Sequence, residues 1–234
     1  MRVQQKFMYN LKKIIHRKLH LTQIDKSYAL NHLDLKLRYY LNFRNGFFIE
    51  VGANDGISQS NTFYFEENLN WSGILIEPIP ELAEKCRINR PNCIVENSAL
   101  VSFEYKKPNI DMRYCNLMSV IKGSLGSLDA EESHIRRGCE LQDVVSYDLK
   151  VPARTLTSIL EEYSVNKIDF LSLDVEGYEL QVLKGINFDK YRPTYILVEI
   201  LESMNEVDID IFLHSLYKPI SRISDHDYLF KCKD

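Results

Sequence analysis

The stretch Phe48-Ile49-Glu50-Val51-Gly52-Ala53-Asn54-Asp55-Gly56 joins an apolar run to a turn carrying two glycines four residues apart. The run reads as a buried strand, and the turn as a place where backbone must come close to something. Without Cβ atoms at Gly52 and Gly56 a ligand can approach the chain, and a helix starting beyond would offer free N–H groups. The spacing lacks the middle glycine of G-x-G-x-x-G, and Glu50 and Asp55 dress the turn with acid. A pyrophosphate gains little from carboxylates, whereas a cationic ligand gains charge-assisted hydrogen bonds. The dressing therefore favours S-adenosylmethionine, whose sulfonium and α-ammonium are both positive. The competing reading is an ordinary tight turn.

Downstream, Ile74-Leu75-Ile76-Glu77-Pro78 ends a second apolar run in an acid about twenty-five residues after Gly52, where a carboxylate can take both ribose hydroxyls of an adenosine. A third run ends in Glu96-Asn97-Ser98, whose polar side chains could read the base edge. A fourth, Phe170-Leu171-Ser172-Leu173, stops at Asp174-Val175-Glu176-Gly177-Tyr178-Glu179. Each acid alone could be a solvated strand end. Several in register at the carboxyl edge of a parallel sheet describe a binding crevice.

Short β-rich runs at 47–51, 73–77, 93–97, 168–174 and 195–200 alternate with helical patterns at 61–69, 80–89, 156–163, 178–183 and 209–216. That rhythm predicts an α/β fold with a mainly parallel sheet. Residues 101–151 break it and read as a lid or substrate-facing insertion, or as an extra hairpin and surface loop. Residues 220–223 and 228–232 read as a terminal hairpin. Ahead of the first strand, residues 1–45 carry two helical patterns. The first is basic, with Arg2, Lys6, Lys12, Lys13, Arg17 and Lys18 and no acid before Asp25. Such a helix could pack on its own domain, supply a two-fold dimer contact, or lie on an anionic membrane surface.

The strings FIEVGANDG, GILIEPIPE, ENSAL, VPARTLTSIL, LDVEGYELQVLKGI and YILVEI, in that order across about residues 46–200, resemble the FkbM family of S-adenosylmethionine-dependent methyltransferases. The resemblance implies a Rossmann-like class I methyltransferase fold: a mainly parallel seven-stranded sheet with helices on both faces over residues 46–234, and a helical appendage over 1–45. It further implies that Glu50, Gly52, Asn54 and Gly56 line the methionine end of the cofactor, and that Ser60 and Asn61 bond its carboxylate. Glu77 would take the ribose, with Pro78 and Ile79 beside the adenine and Asn97 and Ser98 flanking the base. Asp174 would sit near the methyl group. The branch carrying Asp55-Gly56 and Ser60-Asn61-Thr62 is associated with surface polysaccharide synthesis, so the expected acceptor is a sugar or sugar nucleotide.

Methyl transfer to a hydroxyl needs near-attack geometry and a base. Asp174 and Glu176 are the leading candidates for that base, with Glu199 next, because a carboxylate at a sheet edge can be desolvated and its pKa raised. Asp174 and Glu199 could also hold Mg2+ or Mn2+ through oxygen ligands. His134, and Arg136 with Arg137 as an anion-binding pair, stand beside readings as exposed loop residues. Two rivals remain: a nicotinamide-dependent oxidoreductase, disfavoured by the missing glycine, and a non-catalytic protein that keeps the fold.

Composition sets the outer limits. The chain has 234 residues, 45% hydrophobic and 26% charged, which fits a packed soluble core. A formal charge of −4 argues against nucleic acid as the main partner. Five scattered cysteines with no C-x-x-C pair suggest reduced thiols in the cytoplasm. No apolar run reaches the ~20 residues that cross a bilayer.

Overall fold

The computed structural model describes residues 26–201 and 206–233; the basic helical pattern expected before Asp25 lies outside them. The chain opens with α1 (Leu33–Leu41), β1 (Phe47–Val51), α2 (Phe63–Leu69), β2 (Ser72–Ile76), α3 (Pro80–Asn89) and β3 (Ile94–Glu96). It continues through β4 (Ala99–Leu100), β5 (Asn109–Tyr114), β6 (Val120–Ile121), α4 (Leu128–Gln142) and β7 (Tyr147–Arg154). The remainder is α5 (Leu156–Glu162), β8 (Phe170–Leu173), α6 (Glu179–Leu183), β9 (Tyr195–Glu199), α7 (Glu206–Leu213), β10 (Tyr217–Arg222) and β11 (Asp227–Cys232).

Seven strands form one sheet in the order β10-β11-β9-β8-β1-β2-β3. The five from β9 to β3 run parallel, while β11 is antiparallel to both β9 and β10. The sheet is therefore mixed, and the expectation of a mainly parallel sheet holds for its central part. The departure has a local cause: β10 and β11 are joined by a short turn, which can connect only antiparallel neighbours. Strands β4, β7, β5 and β6 make a second, four-stranded sheet that the sequence reading lacks.

The parallel strands are buried on both faces, as such strands must be when helices cover them. Alternate residues of β1 show how. Ile49 and Val51 pack with Leu156, Leu160, Val182 and Leu213 from α5, α6 and α7. Phe48 packs on the other face with Leu37 and Leu41 of α1, Phe65 of α2 and Cys86 of α3. Pro80 opens α3 at the first helical position, where its missing N–H costs nothing. Helix α1 is buried along the stripe Leu33, Leu37, Leu41, and its Asp34 side chain caps the incoming chain by accepting from the Tyr28 N–H and Ser27 Oγ.

Residues 101–151 hold ordered structure. Ile110, Met112, Ile121 and Val151 of the small sheet close over Ile79 and Leu82 of the main domain. Ser127 caps α4 by accepting from the Ala130 N–H. Gly138 lets α4 lie close to the preceding turn, since a Cβ there would fall 2.6 Å from Cys115 Sγ.

Because Leu37 is fully buried, Leu37→Ala is expected to lower the unfolding free energy by about 2–5 kcal/mol in a urea titration. A loss under about 0.5 kcal/mol would show that α1 is not part of the cooperative core.

Candidate active site

The parallel strands end together. Register pairs Val51 with Ile76 and Leu173, Leu173 with Val198, and Ile76 with Glu96. Gly52, Glu77, Asn97, Asp174 and Glu199 therefore follow one another along a single carboxyl edge. Over that edge lies a cavity of about 610 Å3, a size typical of small-ligand sites. One wall is built by Gly52, Asn54, Asn61, Glu77, Pro78 and Ser98, the floor by Asp174, Glu176 and Glu199. The facing wall comes from the 101–151 segment, through Met112, Met118, His134, Arg137 and Leu141.

Gly52 has φ +83°, and a Cβ on it would meet the carbonyl oxygen of Asp174 at 2.0 Å. What approaches this glycine most closely is thus the end of β8, although Gly52 also borders the cavity. The Gly52 and Ala53 N–H groups donate to the Ile76 carbonyl, and the Asn54 N–H donates to Glu77 Oε2 at 2.8 Å. The loop after β1 is hooked over the end of β2 in this way. Asn54 Nδ2 then reaches across the cavity wall to Asn116 Oδ1 at 3.1 Å, tying the loop to the 101–151 segment.

Glu50 does not face the cavity, contrary to the expectation that it lines the methionine end. Its carboxylate accepts from Ser60 Oγ, the Asn61 N–H, Thr62 Oγ1 and Arg90 Nη1, all within 3.0 Å. With those partners it is saturated, and it holds the loop that starts α2. Arg90 is fully buried, and also donates to Glu66 at 2.6 Å. Burial alone would depress Arg90, but Glu50, Cys93 and Glu66 more than offset it and its pKa is raised. Gly56 likewise turns away from the cavity and packs against Arg90 and Cys86.

Ser60 and Asn61 separate in role. Ser60 points its hydroxyl at Glu50 and accepts from the Thr62 and Phe63 N–H groups, so it fixes the turn leading into α2. Asn61 gives Nδ2 to Ser172 Oγ at 3.1 Å and leaves Oδ1 buried with no partner. An unpaired acceptor suits the N–H of an ammonium better than the carboxylate first assigned to it. Ser98 Oγ is the other unpartnered buried side-chain atom that borders the cavity. Asn97 and Ile79 stand behind the wall: Asn97 Nδ2 donates to the Glu77 and Pro78 carbonyls, and the Ile79 N–H donates to Glu77 Oε1. Both shape Glu77 from outside the cavity.

Burial pushes Glu77 up to about 7, against the two backbone N–H bonds that favour its ionised form. At the floor, Asp174, Glu176 and Glu199 each place a carboxylate oxygen within 4.8 Å of the others. Asp174 is exposed on the cavity surface. Desolvation and then the charge of Glu199 hold its pKa well above the usual range. Desolvation and Asp174 do the same to Glu176, and desolvation and Glu176 bring Glu199 to about 7. Glu179, itself buried, accepts from the Val175 and Gly177 N–H groups and so holds the turn that follows β8. His134 Nε2 lies 3.5 Å from Glu176 Oε2 and donates to the Met118 carbonyl at 3.2 Å.

Arg90, Glu179 and Asn116 are the working residues the sequence reading does not assign. Glu179 stands within the acidic motif, which is a signal. Arg90 directly follows the helical pattern 80–89, and Asn116 lies inside the 101–151 segment; neither position carries a sequence signal for its role.

A family model, "Methyltransferase FkbM domain", matches residues 50–230, well over half of the chain. The chain belongs to the FkbM methyltransferase family. It is accordingly an enzyme that uses S-adenosylmethionine, and the nicotinamide and non-catalytic readings fall away. No curated protein sequence matches. Among solved structures, human methyltransferase 10 domain containing protein is similar with a TM-score of 0.45 at 11% identity, over 86% of this chain and 81% of that one. A TehB-like SAM-dependent methyltransferase from Corynebacterium glutamicum gives 0.42 at 8% identity, over 95% and 97%. A methyltransferase from Pyrococcus furiosus gives 0.39 at 14% identity, over 95% and 98%. These are distant likenesses. Among the described residues of this FkbM methyltransferase, no helix is long and apolar enough to cross a membrane.

Two outcomes follow for this FkbM methyltransferase. Glu77 is raised from an ordinary 4.5 to about 7, so it favours the fold when protonated. Its contribution is full below about pH 4.5 and is lost as pH rises through about 7, roughly 3 kcal/mol in all. Glu179, also raised to about 7, acts in the same direction, while His134, lowered chiefly by burial, opposes them below the ordinary histidine range. The ligand-free protein is expected to unfold at lower urea at pH 8 than at pH 5, with a flatter slope in Glu77→Gln. Stability that holds level or climbs over that interval contradicts the assignment. Gly52→Ala is expected to strain the backbone by about 1–3 kcal/mol and displace Asp174, weakening S-adenosylhomocysteine roughly tenfold or more in calorimetry. Unaltered affinity would mean the contact is not needed.

Proposed function

We propose that the protein transfers the methyl group of S-adenosylmethionine to a hydroxyl of a small acceptor, a sugar or sugar nucleotide, within a class I methyltransferase fold and in the cytoplasm. The observation that carries this reading is the three-carboxylate floor of Asp174, Glu176 and Glu199 beneath a cavity large enough for a small ligand. In this reading Glu77 takes the ribose hydroxyls, Pro78 and Ser98 border the adenine, and Asn54 and Asn61 meet the methionine end. The sulfonium then lies over the acids, where its charge is favoured.

The acceptor oxygen attacks the methyl carbon in line. The O–C bond forms as the S–C bond breaks, the electron pair stays on sulfur, and S-adenosylhomocysteine leaves. The hydroxyl proton passes to a carboxylate of the floor and from there to solvent. A carboxylate with a pKa near neutrality suits that task, because it is basic enough to accept the proton and still ionised at working pH. The same three side chains form an all-oxygen donor set that would fit Mg2+ or Mn2+, and such an ion would supply charge to acidify the acceptor hydroxyl.

Asp174→Asn is expected to lower turnover by about 10²-fold or more, with a much smaller change in S-adenosylhomocysteine affinity. Thioether formation is measured against a panel of sugars, sugar nucleotides and amines. Methylation of amines alone would sink the hydroxyl assignment. A wild-type rate unchanged after EDTA treatment would reject the ion; a rate lost to EDTA and restored by Mn2+ would support it.

A further inference from the structure

Helix α4 turns one face to the cavity through His134, Arg137 and Leu141, three residues and then four apart, the spacing of a single helical stripe. The steps along the axis are about 4.5 and 6 Å. At the inner end His134 stands 3.5 Å from Glu176. At the outer end Leu141 is 69% exposed although it borders the cavity, which places it at the mouth.

Arg137 lies between them. Among the described residues around the cavity it is the one lysine or arginine, and every other formally charged side chain there is a carboxylate. Arg136, the next residue on the helix, is exposed and does not border the cavity, whereas Arg90, Arg154 and Arg113 elsewhere in the fold pair with Glu50 and Glu66, Glu96 and Glu162, and Asp148. Arg137 is exposed and makes no hydrogen bond or ion pair with a described residue. Its charge still reaches inward, since after burial it is the main influence that lowers His134.

We infer that Arg137 binds an anionic group of the acceptor, a phosphate or a carboxylate, about one helical turn outward from the hydroxyl that is methylated. This rests on the reading of the protein as a hydroxyl methyltransferase. An anion is repelled from a cavity floored by Asp174, Glu176 and Glu199 unless a cation holds it away from them. The guanidinium supplies that cation with a planar fork matched to phosphate or carboxylate oxygens. The anion is thereby pinned toward the mouth, and the uncharged, hydroxylated end of the molecule is directed to the acids.

The test is calorimetric titration of the protein saturated with S-adenosylhomocysteine. UDP-glucose supplies a diphosphate, glucuronate a carboxylate, and glucose no charge. Binding of UDP-glucose alone identifies a phosphate source, and binding of glucuronate alone a carboxylate source; either supports the inference when glucose binds roughly tenfold or more weakly. Arg137→Gln is expected to weaken the anionic probe by a similar factor while leaving S-adenosylhomocysteine affinity within about twofold, and Arg137→Lys to recover part of the loss. Equal binding of glucose, no binding of either anionic probe, or an unchanged affinity in Arg137→Gln overturns it. Those results leave hydroxyl methylation standing if neutral sugars are methylated. Exclusive methylation of amines defeats the hydroxyl reading and this inference with it.

Discussion

An alanine Cβ at position 52 would lie 2.0 Å from the carbonyl oxygen of Asp174, and the site depends on that space being left empty. Strands β1 and β8 are hydrogen-bonded neighbours, so the loop leaving one must pass the end of the other. Glycine at a positive φ lets it do so without pushing Asp174 aside. The same turn brings the Asn54 N–H onto Glu77. Glu77 and Asp174 are in this way both positioned by the one loop that leaves β1.

The acids near this edge divide by what surrounds them. Glu50 is compensated by a buried arginine and three further donors, and it serves as an anchor for the loop opening α2. Asp174, Glu176 and Glu199 are desolvated and then have each other's charge for company, so their protons are held more tightly than usual. A sulfonium brought over such a floor relieves part of that repulsion, which gives the cavity a physical preference for a cationic donor. Arg137, on the α4 face that borders the same cavity, brings the opposite sign to it.

Much of this was legible along the chain because it is written locally. The strand at Phe47–Val51 and the helix at Pro80–Asn89 need only an apolar run bounded by glycine, or a proline at the first helical position. The acids at Glu77, Asp174 and Glu199 follow from apolar strands that stop in register. Glu50 shows where local reading fails. Its neighbours in sequence suggest a ligand, but its fate is decided by Arg90, forty residues away and inside the core. Helix α4 fails for another reason: Leu128 and Leu141 are exposed, and the face it packs centres on Gly138 and Ile135. Its residues are mostly polar, with a glycine where a helix is disfavoured and leucines facing outward, so a search for apolar runs passes over it.

Where the methyl donor lies decides whether Glu77 and Asp174 act as proposed. A crystal structure with S-adenosylhomocysteine tests this most directly. Both ribose hydroxyls are expected within hydrogen-bonding distance of the Glu77 carboxylate, with the sulfur above Asp174. A thioether bound elsewhere, or a ribose turned away from Glu77, would contradict that placement.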